Sequence, residues 1–226
     1  MNILGISAGF HDAAATVINE YGEILFAGHS ERYSKVKNDA NFCSSFIREL
    51  EHYNPIGTVA YYERPLSKQL RQLYSGQGFE WDKLSVKKLV HNQIGHARWQ
   101  DLKNYKNYNH HLSHAAAGFY TSPFQSATTL VIDAIGEFDT ASIWTCYANV
   151  MNKKWSMDYP KSLGLFYSAM TARVGLKPNE DEYILMGMSA YGNPVKYYSQ
   201  IRNDFLTDPT PQSIVKFKKN LHRGCL

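Results

Sequence analysis

The sequence predicts an α/β protein whose second part begins to repeat the element order of the first. Three short apolar segments at 2–7, 13–18 and 24–27, separated by turn-forming residues, predict an antiparallel meander of three strands. Helical spacings then alternate with a strand as far as Pro123. A new set of three strands follows, so that the order βββαβα is succeeded by βββα.

The composition indicates a globular chain of one or two domains. With 226 residues, 44% of them hydrophobic, the chain can bury a core, which excludes disordered and collagen-like classes. No apolar run approaches the roughly 18 residues of a membrane helix, and no charged leader precedes the first strand, so we expect neither a membrane partner nor secretion. A net charge of +4, spread along the chain, gives no reason to expect a nucleic-acid partner.

Cysteine usage predicts a reducing compartment. The three cysteines are far apart and form no CxxC motif, so they fit neither a disulfide framework nor a zinc knuckle: Cys43, Cys146 and Cys225. We therefore expect a cytoplasmic protein.

The first predicted unit comprises residues 1–123. Residues 76–107 carry no clear pattern, but the elements on either side of them are recognisable from apolar spacing, capping residues and prolines. After the meander they are a helix capped by Ser44 or Ser45 and ended by Pro55, a buried strand at 58–62, a helix around Leu66, Leu70 and Leu73, and an Ala-rich helix at 110–120.

The second predicted unit comprises residues 124–226 and is expected to be incomplete. Its predicted elements are strands at 128–133, 141–148 and 155–159, with a turn near Asn152, and helices at 162–174 and 181–190. Beyond Asn193 the apolar pattern fades into a polar tail with no closing strand.

The loop between the first two strands, with the sequence GISAGFHDAAA, is one candidate site. Gly9 allows neighbouring backbone N–H groups to converge on an anion, and His11 could act on that anion as a donor or an acid/base. A plain hairpin loop is the competing interpretation, because the loop matches none of the common phosphate-binding patterns.

The segment HHLSH at 110–114 is a sharper candidate. Residues four apart on a helix project from one face, so His110 and His114 can reach one metal ion while His111 points elsewhere. Asp133, at the end of a strand, would complete the set of two histidines and one carboxylate found in open non-haem iron sites. Chance histidines on the surface or in the core are the alternative. The missing HExxH motif argues against a zinc protease.

Two weaker candidates lie in the second predicted unit. The turn at 133–140, which contains Gly136, stands where the first loop stands in the first unit, and two such loops could grip a polyphosphate. An acidic, solvent-exposed hairpin is the simpler interpretation.

In the segment 177–192, Glu182 could accept ribose hydroxyls and Gly187 could let a nucleotide approach the backbone. Acidic residues in a first helical turn also simply complement the helix dipole.

Several stretches together resemble the ATP-dependent O-carbamoyltransferases that modify antibiotics and nodulation factors. The matching stretches are 5–15, 31–42, 110–118, 131–144 and above all 162–192. The last is compared with the family pattern SLGLFYSAVTxxLGFxPNEGEYKVMGLAPYG. The resemblance covers essentially the whole chain, but only the amino-terminal part of the family, whose members are usually much longer.

The resemblance implies an actin/Hsp70-like (ASKHA) fold of two ribonuclease H-like repeats, the second incomplete here. It implies transfer of a carbamoyl group from carbamoyl-adenylate, made from carbamoyl phosphate and ATP, to a hydroxyl of a small-molecule acceptor. A divalent metal, usually taken as iron, is the expected cofactor beside ATP. The resemblance implies the metal ligands His110, His114 and Asp133, the catalytic histidine His11 and the ribose carboxylate Glu182. From the loop and helix segments described above we add the catalytic residue Asp12 and the nucleotide contacts Gly9, Gly136 and Gly187.

The chain departs from the family pattern at four positions. They carry Asn38 in place of His, Ala134 and Asp181 in place of Gly, and Ile184 in place of Lys. Ala134 and Asp181 put side chains at positions expected near the nucleotide, which predicts weaker binding.

A fourth metal ligand and the adenylate-forming domain are expected in a missing carboxy-terminal part or a complementary chain, so we expect the isolated chain to be inactive. The alternatives are a non-catalytic module that binds nucleotide or a partner, and one chain of a split enzyme. A tRNA-modifying relative is less favoured, because SLGLFYSAMT is characteristic of the small-molecule branch.

Overall fold

The computed structural model describes residues 1–95, 99, 101–208, 210 and 215–218. Cys225, one of the three cysteines considered above, lies outside these residues. The chain divides into two compact units, Met1–Ser113 and His114–Leu226, and each of them mixes helices and strands. The predicted boundary after residue 123 stays a prediction. Within the described ranges, every helix is too short or too polar to cross a membrane.

A five-stranded sheet forms the centre of the first unit. Its strands are β1 (Asn2–Ser7), β2 (Ala14–Ile18), β3 (Ile24–His29), β4 (Ile56–Tyr61) and β5 (Asn104–Asn107), in the order β3-β2-β1-β4-β5. The first three strands form the predicted antiparallel meander, whereas β4 and β5 run parallel to β1. Alternate residues of β1 and β2, including Leu4, Ile6 and Val17, are buried, as expected of half-buried strands.

Five helices and a short 3-10 turn belong to or begin in this unit. They are α1 (Glu31–Ser34), α2 (Ser44–Glu51), α3 (Pro65–Tyr74), the turn Trp81–Lys83, α4 (Val86–Ile94) and α5 (His110–Tyr120), which contains the boundary between the units. The prediction that Ser44 or Ser45 caps α2 is wrong. Cys43 occupies the N-cap position and makes no side-chain cap, and its thiol contacts the Ser45 hydroxyl.

Helix α3 buries polar side chains and exposes its leucines. Leu66, Leu70 and Leu73 are each about half exposed, whereas Gln69 and Arg71 are buried. The Gln69 side-chain carbonyl accepts a hydrogen bond from the Glu80 amide at 2.7 Å, so the buried face is held by hydrogen bonds to the segment that follows the helix.

The three parallel strands bring chemically active residues to one edge of this sheet. The register aligns the ends of the strands, near Ile6, Tyr61 and Asn107. The segments that follow contain His11, Glu63 and His110. Ligand sites of α/β proteins collect at the carboxyl ends of parallel strands, so this edge is the natural place for a site.

After the last part of α5, the second unit continues with a three-stranded antiparallel meander. It contains β6 (Ser126–Gly136), β7 (Asp139–Tyr147) and β8 (Val150–Asp158), followed by α6 (Leu163–Arg173), α7 (Glu182–Ser189), α8 (Tyr198–Phe205), β9 (Leu206–Thr207) and β10 (Lys216–Phe217). The predicted turn near Asn152 is wrong. Asn152 pairs with Thr145 inside β8, and the chain turns at Ala148, which has a φ of 47°.

The tail beyond Asn193 is more ordered than the sequence predicts. Phe205 at the end of α8 and Phe217 of β10 both pack against Phe166, with ring centroids 6.0 and 5.3 Å apart. These aromatic contacts join positions far apart in the sequence, which explains why the local pattern gave no sign of α8 or of the β9/β10 pair.

Candidate metal centre and its surroundings

Helix α5 presents two histidines one turn apart. Asn109 precedes the helix and its side-chain carbonyl accepts a hydrogen bond from the Leu112 amide at 3.0 Å, which is a typical start of a helix. His110 and His114 therefore project from the same face, as their spacing predicts. His111, between them, is fully buried.

Asp133 lies in an irregular stretch inside β6 rather than at the end of a strand. Regular pairing with β7 stops at Ile132 and resumes at Gly136, so that Asp133 lies in a bulge. Its Oδ1 accepts a hydrogen bond from the Ala134 amide at 2.6 Å. Its Oδ2 lies 3.9 Å from Nε2 of His114. The bulge thus turns the carboxylate toward the helix.

Together these residues form a potential ligand set. One ligand atom each from His110, His114 and Asp133 lie within 4.8 Å of one another. Among the described residues, this is the only group of three or more such side chains close enough to share an ion. Two imidazoles and one carboxylate are the donors of open non-haem iron sites, so the donor chemistry fits a divalent metal such as iron.

Glu63 lies next to the His110 ring, and the sequence analysis did not identify it. The carboxylate is buried, with Oε2 3.9 Å from Nδ1 of His110 and Oε1 2.7 Å from Nζ of Lys68. Burial raises the pKa of the Glu63 carboxyl, but the adjacent His110 and Lys68 side chains lower it more, so the pKa lies below its ordinary value. The only available signal was an acidic residue directly after a buried strand.

The first loop contains a second histidine–carboxylate pair. Nδ1 of His11 lies 2.8 Å from Oδ2 of Asp12, and both side chains are exposed. Asp12 has a φ of 48°, a conformation that short polar residues tolerate best. The Gly9 amide donates to the carbonyl of Ala40 at 2.8 Å, so it is occupied within the chain rather than directed at an anion. The Phe10 ring lies 5.5 Å from Nζ of Lys68, which also bonds Glu63.

Glu182 already has partners within its own unit. It is the first residue of α7, and its Oε1 accepts hydrogen bonds from the Asn179 amide at 2.6 Å and from the Ser168 hydroxyl at 2.7 Å. This carboxylate therefore joins α7 to α6, in addition to any contact with a ribose. Gly187 borders open space, since a Cβ added there would meet no atom within 4 Å.

The turn at 133–140 is not the acidic, solvent-exposed hairpin that was the simpler expectation. Glu137 and Asp139 are buried, and Gly136 pairs with Asp139 across the two-residue turn. Both carboxylate oxygens of Asp139 accept hydrogen bonds from Nζ of Lys153, at 3.0 and 3.1 Å. Polar partners within the meander, rather than solvent, satisfy this acidic side chain.

Two of the four departures from the family pattern are accommodated by the local structure. Asn38 has a φ of 56°, which asparagine adopts more readily than most residues. Asp181 is the N-cap residue of α7, and its Oδ2 accepts a hydrogen bond from the Lys177 amide at 2.9 Å.

Comparison with known proteins shows which family the sequence matches. Residues 59–223 match the sequence model of a family described as Carbamoyltransferase N-terminus. An uncharacterized protein of Synechocystis sp., sll1178, is 34% identical over 91% of this chain and 37% of its own length. The nodulation protein NolNO of Sinorhizobium fredii is 26% identical over 83% of this chain and 28% of its own length.

The chain therefore spans well under half the length of these relatives. Among solved structures, the Lmo2764 protein of Listeria monocytogenes aligns with 85% of this chain and 72% of its own, at 11% identity and a TM-score of 0.40.

Proposed function

The chain belongs to the carbamoyltransferase family as its amino-terminal part, and on that basis we propose that it supplies the metal- and nucleotide-binding part of an O-carbamoyltransferase. The observation that carries the proposal is the convergence of His110, His114 and Asp133. In the proposed reaction, the carbamoyl carbon of carbamoyl-adenylate forms a bond to an acceptor oxygen, the bond to adenylate breaks, and the hydroxyl proton passes to a base.

We extend the proposal to the ASKHA fold with two ribonuclease H-like repeats, the second incomplete. Its support is that each unit contains an antiparallel meander of three strands, β1 to β3 in the first and β6 to β8 in the second, followed by helices.

His110, His114 and Asp133 are the residues that would hold the metal, for which we propose iron. The ion, when bound, supplies a positive charge that polarises the carbamoyl oxygen or orients the phosphate and the acceptor hydroxyl. Glu63 faces Nδ1 of His110 and is itself paired with Lys68, so these two residues are proposed to hold the orientation of the His110 ring.

His11 and Asp12 are the proposed general base and its orienting partner. The Asp12 carboxylate bonds Nδ1 of His11, which leaves Nε2 as the nitrogen that takes up the proton of the acceptor hydroxyl. The exposure of both side chains leaves room for a small hydroxylated acceptor.

Glu182 and Gly187 are the proposed nucleotide contacts for ATP or carbamoyl-adenylate. With Oε1 of Glu182 bonded to Asn179 and Ser168, Oε2 is the atom proposed to accept a ribose hydroxyl. Gly9 and Gly136 make hydrogen bonds or strand pairs within the chain, so their proposed part is to shape the two turns.

The proposed protein partner is the remaining part of the carbamoyltransferase, either in the same polypeptide or as a complementary chain. The relatives are much longer than this chain, and helix α7 supports the proposal because it is largely apolar yet contains no buried residue among those the structure describes. Exposed apolar helices of this kind are typical of surfaces that a further protein segment covers.

Metal analysis of the purified 226-residue chain tests the proposal. After anaerobic incubation with Fe²⁺ and desalting, we expect the wild-type chain to retain iron and the variant His114→Ala to retain none above background. His52→Ala, at an exposed histidine outside the ligand set, is the matched control and should retain as much iron as the wild type. Equal iron content in all three proteins would overturn the assignment of these ligands.

A further inference from the structure

The start of helix α6 contains a Ser-Leu-Gly sequence that the proposed reaction does not explain. Ser162 is the N-cap residue, and Gly164 is the second residue of the helix. Glycine in a helix costs about 1 kcal/mol relative to alanine, so its presence calls for a local reason. No unusual backbone angle supplies one, because Gly164 is not among the residues with positive φ.

Close approach of the Asp133 bulge supplies the reason for Gly164. A Cβ added to Gly164 would lie 2.7 Å from both N and Cα of Ala134 and 2.9 Å from the carbonyl carbon of Asp133. These are backbone atoms, so no side-chain rotation can relieve the overlap. Any larger residue at position 164 must push the bulge away from the helix.

Ser162 holds the same bulge through hydrogen bonds. Its side chain is fully buried, and its hydroxyl is placed to donate to the carbonyl oxygens of Ala134 at 2.7 Å and of Asp133 at 3.2 Å. The same oxygen accepts a hydrogen bond from the Leu165 amide at 3.0 Å. An ordinary N-cap needs only this last bond, so the contacts to the bulge are additional.

We propose that Ser162 and Gly164 are positioning residues that fix the Asp133 bulge and thereby aim the Asp133 carboxylate at His114. The backbone of the bulge is hydrogen-bonded by Ser162 and packed against Gly164, while Asp133 Oδ1 is held by the Ala134 amide. With these constraints, Oδ2 remains on the side of His114 Nε2. The inference rests on the proposed metal site, and it assigns a role to two residues that contact the backbone of the bulge and are not themselves proposed metal ligands.

Two site variants and two matched controls test the inference. Gly164→Ala adds the Cβ that the bulge cannot accommodate, whereas Gly118→Ala adds one whose nearest neighbour is a Thr129 methyl at 3.9 Å. Ser162→Ala removes a cap and the bonds to the bulge, whereas Ser85→Ala removes only the cap of α4.

Co²⁺ titration of the 226-residue chain, followed by its visible absorption, is the first readout. Loss of support behind a metal ligand typically weakens metal affinity about 10- to 100-fold. We expect the Co²⁺ Kd to rise by at least about tenfold in Gly164→Ala and in Ser162→Ala, and by less than about twofold in the controls. If Gly164→Ala does not fold, Ser162→Ala alone decides, with Ser85→Ala as its reference.

Hydrogen exchange of the metal-free chain is the second readout, and it separates failure of the inference from failure of the proposed function. We expect faster exchange at residues 133–136 in the two site variants and unchanged exchange in the controls. A wild-type chain that binds no more Co²⁺ than His114→Ala contradicts the proposed metal site. Unchanged exchange at the bulge, or unchanged Co²⁺ affinity in folded site variants, overturns the inference about Ser162 and Gly164.

Discussion

Glu63 lies between Lys68, which is close to the first loop, and His110 of helix α5. Its Oε1 bonds Lys68, whose ammonium group lies over the Phe10 ring next to His11, and its Oε2 lies 3.9 Å from Nδ1 of His110. A carboxylate behind a ligand histidine fixes the ring orientation and raises its basicity. Glu63 can therefore influence both proposed functional groups without touching a substrate.

Replacing Glu63 should weaken metal binding while leaving the fold intact. The variant Glu63→Gln keeps the shape of the side chain but loses the negative charge that faces His110, so we expect the Co²⁺ Kd to rise about tenfold. Glu80→Gln is the matched control, because Glu80 pairs with Lys83 at 2.9 Å on the exposed surface. An equal rise in both variants would mean that net charge, rather than orientation of His110, explains the effect.

Glu182 has a structural role that can be separated from its proposed ribose contact. Glu182→Gln keeps a carbonyl oxygen that can accept the bonds from Asn179 and Ser168, but it replaces the other carboxylate oxygen by an amide nitrogen. We expect the free energy of unfolding to change by less than about 0.5 kcal/mol, and the ATP affinity, measured by titration calorimetry, to fall about tenfold.

The neighbouring variant Glu180→Gln is the control for this prediction. Glu180 is exposed and pairs with Lys177, so it changes the same net charge without touching the proposed contact. Unchanged ATP affinity in Glu182→Gln would show that Glu182 only joins α7 to α6.

Among the larger elements, the meander of β6 to β8 places two carboxylates side by side. Partial burial raises the pKa of Asp158, and the nearby Asp139 raises it further, while Lys153 and Lys161 oppose the shift. Because folding raises the pKa of Asp158, the folded state favours the protonated carboxyl. Asp158 therefore contributes its full stabilisation to the folded state only below the ordinary aspartate pKa of about 4. That contribution is lost as the pH rises through the raised value.

Neutralising Asp158 should therefore stabilise the chain at neutral pH. For Asp158→Asn we expect a higher urea midpoint at pH 7, by a free energy of about 0.5 kcal/mol at most because the side chain is largely exposed. The difference from wild type should disappear as the pH falls to about 4. Asp82→Asn, at a solvent-exposed aspartate, should show no such pH dependence. A gain that is constant from pH 7 to pH 4 would exclude the carboxylate pair as its cause.

Local patterns predicted most of the elements but not the irregular features that form the site. The helix over 110–120 and both meanders are confirmed, because apolar spacing and nearby prolines specify them locally. The Asp133 bulge escaped prediction because it depends on Gly164, some thirty positions later. The environment of Glu63 likewise depends on the parallel pairing of β4 with β1, which no local spacing reveals.

At the scale of the whole molecule, the second unit exposes several large apolar side chains on and beside helix α7. Tyr191 is 95% exposed, and Met186 and Met188 on helix α7 are each more than half exposed. Exposed apolar side chains that are close in the sequence of one helix are typical of a surface that another protein segment covers. It agrees with a chain that spans only 28–37% of the length of the two relatives described above.

The last prediction is that this chain alone transfers no carbamoyl group. The residues proposed for metal, base and ribose come from this chain, but the family resemblance assigns a fourth metal ligand and the adenylate-forming domain to a part beyond it. With three protein ligands, the chain should bind the metal more weakly than the complete enzyme does, and the coordination geometry should be less constrained. The chain should give no product from carbamoyl phosphate, ATP, Fe²⁺ and hydroxylated acceptors, measured by mass spectrometry.

Adding the carboxy-terminal part of a family member should produce turnover with the wild-type chain and not with His114→Ala. Turnover by the chain alone would show that the missing part is dispensable, whereas no turnover in the presence of that part would favour a non-catalytic binding module.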